Sequence, residues 1–548
     1  MKRYIAVLLF FIGGIPAFSQ EKDLNYFIAQ APFTMPAVVV PEFPPRTFSI
    51  TDYGAVNDGK TLNTAAFALA IEACANAGGG TVVVPEGTWL TGPIEMKSNV
   101  NLHAEANALV LFTPDRSQYP IVHPSKGSSS FVVQSPISGS DLENIAITGE
   151  GIFDGSGENW RPVKKSKVTS EQWEKLVSSG GVLTTDGKTW WPSTEAMNGD
   201  AFLKSLKGRK DLTGKDYLPA RDFMRPKMIV FTKCNNVLLD GPTFRNSPMY
   251  VFNPNHCTNL TVRNVKVHND YWAQNGDGID ISACKGVIIY KTTVSAGDDG
   301  ICMKSSGGNG ADDFQLENVL IADCIVYQSH GGFVIGSNTD GGMKNIFVSD
   351  CDFIGSDIGV RVKSNAGRGG VVKDIYIRNI NMKNIVNAAI SFDTYYEDMQ
   401  VGRKLDTAGR IRNKIPEFRD FHFSNIDCEG AKSAIYINGL PEMPVHKLFF
   451  ENMNIATNAG VIMNAAEGIE LKNVRIIPDK GPVYTLSNSN DIHIINGIMP
   501  VTADRFLVAK ENVSDVKISG TELKDKSKNI ELGKGADKNS VIVIDQNN

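Results

Sequence analysis

From Val237 onward the chain repeats a short alternation of apolar and polar residues. Taking Val237, Leu260, Val287, Val319, Ile346, Ile375, Phe421, Leu448, Ile469, Ile492 and Val516 as position zero, each has another strand-forming apolar residue two places on, from Leu239 and Val262 to Ile494 and Ile518. Most units carry a second apolar pair at positions five and seven, as in Val265 and Val267, Cys324 and Val326, Cys351 and Phe353, and Ile380 and Met382. A period of two predicts strands, and the intervening residues, often Asn or Asp, predict a corner. Units are mostly 21 to 32 residues long, with one of 46 between Ile375 and Phe421. A helical solenoid would need a 3.6-residue period and a leucine-rich repeat its Leu-x-x-Leu-x-Leu frame; neither is present. The expected fold is therefore all-β: a right-handed parallel β-helix in which each repeat is one coil and loops of variable length leave at the corners.

The first residues of the solenoid look like an end cap. Phe48 to Val56 reads as a strand and turn. Asn63 or Thr64 can then start a helix whose apolar face is Phe67, Ile71 and Cys74, stopped by Gly78 to Gly80. Ahead of it, residues 20–47 include a proline-rich stretch, Pro32 to Pro45, that predicts an extended N-terminal arm. Residues 1–19 read as a signal peptide: Lys2 and Arg3, an apolar run from Tyr4 to Ile15, and a small-x-small site at Ala17 to Ser19. Export follows, to a periplasm or the extracellular space, and no other stretch predicts a membrane span. Residues 48–548 make up the expected β-helix domain, interrupted by a loop-rich insertion at about 156–227.

That insertion changes the charge picture. The whole chain carries a net charge of -5 and excludes a general nucleic-acid binder. From Trp160 to Lys227, however, 14 Lys or Arg stand against 8 Asp or Glu, with four of the chain's six tryptophans: Trp160, Trp173, Trp190 and Trp191. Thr169 to Gln172 resembles a capping box opening a short helix through Val177. The segment reads either as a packed structural insertion or as a wall of a binding site, with tryptophans for sugar faces and cations for an acidic ligand. The eight cysteines show no zinc spacing. Cys324 and Cys351 share a phase on successive coils, close enough for a disulfide, but Val, Ile and Met fill that phase elsewhere, which favours buried thiols.

Candidate chemistry gathers between Asn275 and Lys304, where Asp277, Asp298 and Asp299 stand in glycine-rich turns. Neighbouring carboxylates push each other's pKa values apart, so that one can serve as acid and another as base. Aligning the turn glycines of successive coils puts Asp277 over Asp299 and Asp298 over His330. Arg361 and Lys363, two apart on a strand, face the same way while Val360 and Val362 face the core. Asp-Gly turns, lone histidines and Arg-x-Lys pairs are commonplace singly; three carboxylates, a histidine and two cations in one register predict a site.

The motifs Asn275-Gly276-Asp277, Gly297-Asp298-Asp299-Gly300, Ser329-His330-Gly331 and Arg361-Val362-Lys363 resemble, in order, the signature motifs of the polygalacturonases, glycoside hydrolase family 28. The opening DYGAVNDGKT…GGGTVVVPEGTW is also similar to that family and its pectin-lyase-like relatives. Gly276 replaces the usual threonine and Ser329 the usual glycine. The resemblance implies inverting hydrolysis of α-1,4 galacturonate linkages in pectin or galacturonan, with no metal and no cofactor. It makes Asp298 the acid, with Asp277 and Asp299 on the attacking water and His330 keeping the acid protonated or ordered. Arg361 and Lys363 would hold the substrate carboxylate, with Tyr396 and Asn275 as further substrate contacts. An inverting pair is expected about 6.5–9.5 Å apart. A rhamnogalacturonan or side-chain galacturonidase of the same family presents the same site, and a non-catalytic carbohydrate-binding β-helix is the alternative of another class. Length added around the groove by the insertion, by the coil between Val287 and Val319 and by the coil after Tyr396 predicts exo action from a chain end.

Overall fold

The computed structural model describes residues 22–37, 39–307, 313–397 and 414–544. The expected signal peptide, residues 308–312 of the lengthened coil after Val287 and residues 398–413 of the one after Tyr396 lie outside them. The architecture is a right-handed parallel β-helix. Val237 pairs with Leu260, which pairs with Val287, and the same phase continues without a slip through Val319, Ile346, Ile375, Phe421, Leu448, Ile469, Ile492 and Val516. A slip of one residue anywhere would turn the core set outward, so burial of one face fixes the register. The core is a column of like on like, as where the Phe423 and Phe450 rings stack at 4.9 Å.

Position four of each repeat makes the corner in the left-handed region: Asn264, Asp350, Asn379, Asn425, Asn452 and Asn473 all have φ between 54° and 56°. Asn and Asp tolerate that conformation better than other residues with a Cβ. The residue before position zero does the same at Asn236, Asn259 and Asn345, a second corner that the apolar pattern does not reveal. Stacked corner amides bond from coil to coil, Asn473 Nδ2 to Asn452 Oδ1 and Asn496 Nδ2 to Asn473 Oδ1 at 2.9 Å each. The cysteines are free buried thiols, Cys324 and Cys351 included.

The helix at the end of the solenoid spans Thr64–Asn76 and buries Phe67, Ala70, Ile71 and Cys74. Asn63 is its N-cap by position but makes no side-chain cap bond. Its amide instead ties the preceding loop to the first coil, accepting from the Val56 N–H at 2.7 Å and donating to the carbonyls of Val56 and Leu90. The arm is not extended throughout: Leu24–Gln30 is helical, capped by Asp23, and places Phe27 against Ile288, Tyr290, Leu320, Ala322 and Phe347 on the outside of the coils.

The insertion is more ordered than a set of loops. The expected helix runs Ser170–Ser178 behind a complete Thr169 and Gln172 capping box. A second helix, Thr194–Ser205, and an antiparallel sheet of Val163–Lys164, Thr189–Trp191 and Val182–Leu183 accompany it. Trp173, Trp190 and Val163 form its small core, and Trp160 packs edge-on to Tyr119. Three of the four tryptophans are therefore buried structural residues; a segment this short has few other apolar groups with which to make a core.

Candidate active site

One sheet bears the site. Its strands Ile279–Ser282, Asp299–Lys304, Gly331–Ile335 and Val360–Lys363 pair in parallel, with Ile279 beside Ile301, Phe333 beside Ile301, and Val360 beside Phe333. Inward Ile, Met, Phe and Val residues alternate with outward Asp280, Cys302, Lys304, Arg361 and Lys363. The catalytic candidates stand on the turns entering these strands. Glycine is required there by close approach: a Cβ on Gly276 would lie 2.7 Å from the Ala273 carbonyl oxygen, and one on Gly297 only 2.3 Å from it. The Ser329 hydroxyl bonds the Ser356 hydroxyl at 2.8 Å, fully buried beneath the turn.

Asp277, Asp298 and Asp299 converge so that their nearest oxygens lie within 4.8 Å of one another, close enough to hold a cation. That bound is between oxygens, whereas the range of about 6.5–9.5 Å for an inverting pair is between carboxyl groups. Asp277 and the Asp298–Asp299 pair stand on successive turns, which the solenoid stacks at the strand separation of about 4.8 Å. Each carboxyl carbon lies about 1.2 Å behind its oxygen, so the carbons of a pair reach at most about 7 Å apart, the lower edge of that range.

The surroundings act in opposite directions on the two buried carboxylates, Asp299 and Asp277. Asp299 is buried, which alone would raise its pKa, but Lys363, Lys304 and Arg361 outweigh burial and hold it at about 2. Lys363 Nζ donates to Asp299 Oδ2 at 2.7 Å and is only 4% exposed, so its nearest partner is this carboxylate rather than the open groove. Asp277 is pushed well above the usual carboxylate range by burial and by the adjacent carboxylates of Asp280 and Asp298, with Lys304 pulling the other way. Asp277 Oδ1 and Asp299 Oδ1 are buried without a hydrogen-bond partner among the described residues, and so are free to accept from a water or a substrate hydroxyl. Asp298 keeps an exposed edge, and its Oδ1 is hydrogen-bonded with His330 Nδ1 at 2.9 Å.

Arg361 Nη1 lies 3.7 Å from Asp299 Oδ1 and is the more exposed of the two cations. The Tyr396 ring faces both, 5.4 Å from the Arg361 guanidinium and 4.8 Å from Lys363 Nζ. Asn275, in the left-handed conformation, accepts at Oδ1 from Arg225 Nη2 at 3.0 Å. All eight residues singled out in the sequence thus meet within one surface.

Several neighbours were not singled out. Lys304 bonds Asp280 Oδ1 at 2.7 Å and lies 3.7 Å from Asp277 Oδ2; its two-residue offset from the outward Cys302 was a usable signal. Arg225, Lys227 and Lys167 come from the basic insertion, where composition marked the segment but no pattern marked the residue. Arg225 and Lys227, with Val122, Lys126, Val133 and Asn255, also line a cleft of about 670 Å³ that continues the groove toward the N-terminal coils. One wall of it is the hairpin of Ile121–Val122 and Val132–Val133.

Comparison with known proteins adds a chemical context. A family model described as glycosyl hydrolases family 28 matches residues 163–475, and one described as rhamnogalacturonase A/epimerase, pectate lyase-like, matches residues 47–116. An exo-poly-alpha-D-galacturonosidase of Dickeya chrysanthemi is 27% identical over 429 residues, covering 75% of this chain and 68% of its own. A probable polygalacturonase of Vitis vinifera is 23% identical, covering 80% of this chain and 82% of its own. Among solved structures, a hyperthermoactive exopolygalacturonase from Thermotoga maritima superposes with a TM-score of 0.61 at 29% identity, covering 78% of this chain and 89% of that one.

Proposed function

The chain belongs to glycosyl hydrolases family 28, and on that premise we propose that it is an exported, exo-acting hydrolase of the α-1,4 galacturonosyl linkages of pectin. The observation that carries the chemistry is the opposite treatment of Asp299 and Asp277 within one cluster of three carboxylates. Asp299 is held ionised by Lys363 and is the base. Asp277 favours its protonated form and, through its unpaired oxygen, orients the attacking water beside Asp299. Asp298, the one member with an exposed edge, protonates the glycosidic oxygen, and His330 holds its other oxygen. Arg361, with the Tyr396 ring beside it, receives the substrate carboxylate in a charge-assisted hydrogen bond.

Exo action is supported by the groove. The insertion and the Ile121 to Val133 hairpin rise at its N-terminal end, and extra residues in a solenoid build outward around the groove because coil spacing is fixed. A wall at one end turns a groove into a pocket that accepts a chain end. The Dickeya relative is by name an exo-acting galacturonosidase, in keeping with this reading.

One experiment tests both halves: a ¹H NMR time course of polygalacturonate digestion. Free galacturonate from the first spectra, appearing first as the β-anomer, is expected. Early mixed oligomers would refute the pocket, and an initial α-anomer would refute inversion. Equal turnover of a rhamnogalacturonan backbone would move the substrate assignment within the family. Export is checked separately by finding the mature protein outside the cytoplasm with its N-terminus near Gln20.

A further inference from the structure

The insertion places a single cation against the histidine of the site. The short helix Lys165–Lys167 follows the strand pairing of Val163 and Lys164 with Trp190 and Thr189. Val168 packs against the cluster of Val163, Trp173 and Trp190, and so does Trp272 from the segment before the catalytic turns, which anchors the backbone there. From there Lys167 Nζ reaches 3.3 Å from His330 Nε2 and 3.0 Å from the Tyr271 hydroxyl, lying over the Tyr271 ring at 4.1 Å. On the other side of the imidazole, Nδ1 is 2.9 Å from Asp298 Oδ1.

We propose that Lys167 is a positioning residue that fixes His330 as the neutral Nδ1–H tautomer and thereby keeps the catalytic proton on Asp298. An ammonium can only donate, so a contact at Nε2 requires a lone pair there. The ring hydrogen is then on Nδ1 and is donated to Asp298 Oδ1. With Oδ1 used as an acceptor, the acid's proton is left on Oδ2.

The other charged groups around His330 make the cation necessary. Asp357 Oδ2 lies 3.9 Å from Nε2, and Asp298 is bonded to Nδ1. A proton carried by His330 instead of Asp298 would leave a carboxylate that cannot act as the acid. Arg361 Nη1 donates to the His330 carbonyl at 3.4 Å and addresses the backbone, not the ring. Among the described residues, Lys167 is the cation within hydrogen-bond reach of Nε2. It enters from outside the β-helix, so the basic insertion serves the proton as well as the groove wall.

This inference rests on the assignment of Asp298 as acid, so its test is chosen to be readable without turnover. In protein labelled with ¹⁵N-histidine, the His330 signals, assigned by their loss in His330→Asn, are expected to report Nδ1–H and a bare Nε2 at neutral pH. Lys167→Met is expected to convert them to imidazolium at the same pH. It should lower kcat at least about tenfold, a part of the factor that a positioned general acid contributes, with a smaller change in KM. Lys167→Arg should restore both. A wild-type His330 that is Nε2–H or imidazolium overturns the proposal even if Lys167→Met fails to fold. Lys167→Met with raised KM, unchanged kcat and unchanged ¹⁵N signals also overturns it, and makes the lysine a substrate contact. Full turnover by Asp298→Asn would instead remove the acid assignment while leaving the tautomer result standing.

Discussion

Lys363 and Asp277 show how much of the site is fixed by burial rather than by residue type. Lys363 pairs with Asp299 where both are largely buried, and removing one partner of such a pair leaves a buried charge without its hydrogen-bonded counter-ion. Lys363→Met is therefore expected to destabilise the protein by about 3–5 kcal/mol. It should also let the Asp299 pKa rise from about 2, moving the acid limb of kcat/KM to higher pH. A pH profile with an unmoved acid limb would show that Asp299 is not the base. Asp277 has the opposite sign. Its folded pKa is raised, so its contribution to stability is complete below its unfolded value of about 3.9 and is lost as pH rises through the folded value. Asp277→Asn keeps the shape and removes the loss. It should melt above wild type at about pH 8, with the difference closing toward about pH 4; equal melting temperatures across that range would contradict the raised pKa. Asp277, Asp298, Asp299, His330, Arg361 and Lys363 were legible because a solenoid converts sequence phase into spatial register. What phase could not show was partnership: that Lys363 is spent on Asp299, or that Lys304 stands between Asp277 and Asp280.

At the scale of elements, the strands were legible because one-sided burial repeats with a period of two, and every position-zero residue from Val237 to Val516 pairs as its phase requires. The rest was less so. The insertion's second helix, Thr194–Ser205, has only Ala196 and Gly199 buried, so no apolar stripe announces it. The arm helix Leu24–Gln30 buries one side chain, Phe27, and proline content nearby points to extension instead. That side chain is the centre of the arm's docking, with Leu24, Ile28, Phe33 and Met35 packed around the same cluster, Lys22 paired with Asp350, and the Tyr290 hydroxyl donating to the Lys22 carbonyl at 3.1 Å. Truncating a fully buried phenylalanine costs about 3–5 kcal/mol. Phe27→Ala is therefore expected to free the arm: limited proteolysis should cut between residues 31 and 45 while the coils survive and kcat/KM stays within about twofold, since contacts in a solenoid are local. A digestion pattern identical to wild type would mean that the arm is held elsewhere.

At the scale of the whole molecule, the proposed function requires a protein of net charge -5 to attract a polyanion. It can do so only by arranging its field unevenly, and the cations gather where the groove is: Lys126, Arg225 and Lys227 along the cleft, Lys167 and Arg361 at the turns. Exposed and half-exposed charges act through solvent and are screened as the Debye length falls from about 30 Å at 0.01 M salt to about 3 Å at 1 M. The Lys363–Asp299 and Lys304–Asp280 pairs are buried and escape most of that screening. Binding and chemistry should therefore respond differently to salt. KM for polygalacturonate is expected to rise steeply with ionic strength while kcat changes little, and the rise should be shallower for a digalacturonate, which meets fewer of the cleft's cations. Initial rates over a sodium chloride series decide the matter. A flat KM would mean that the cleft does not carry the polymer, and a kcat that falls as KM rises would mean that the ion pairs around Asp299 and Asp277 are open to solvent during turnover.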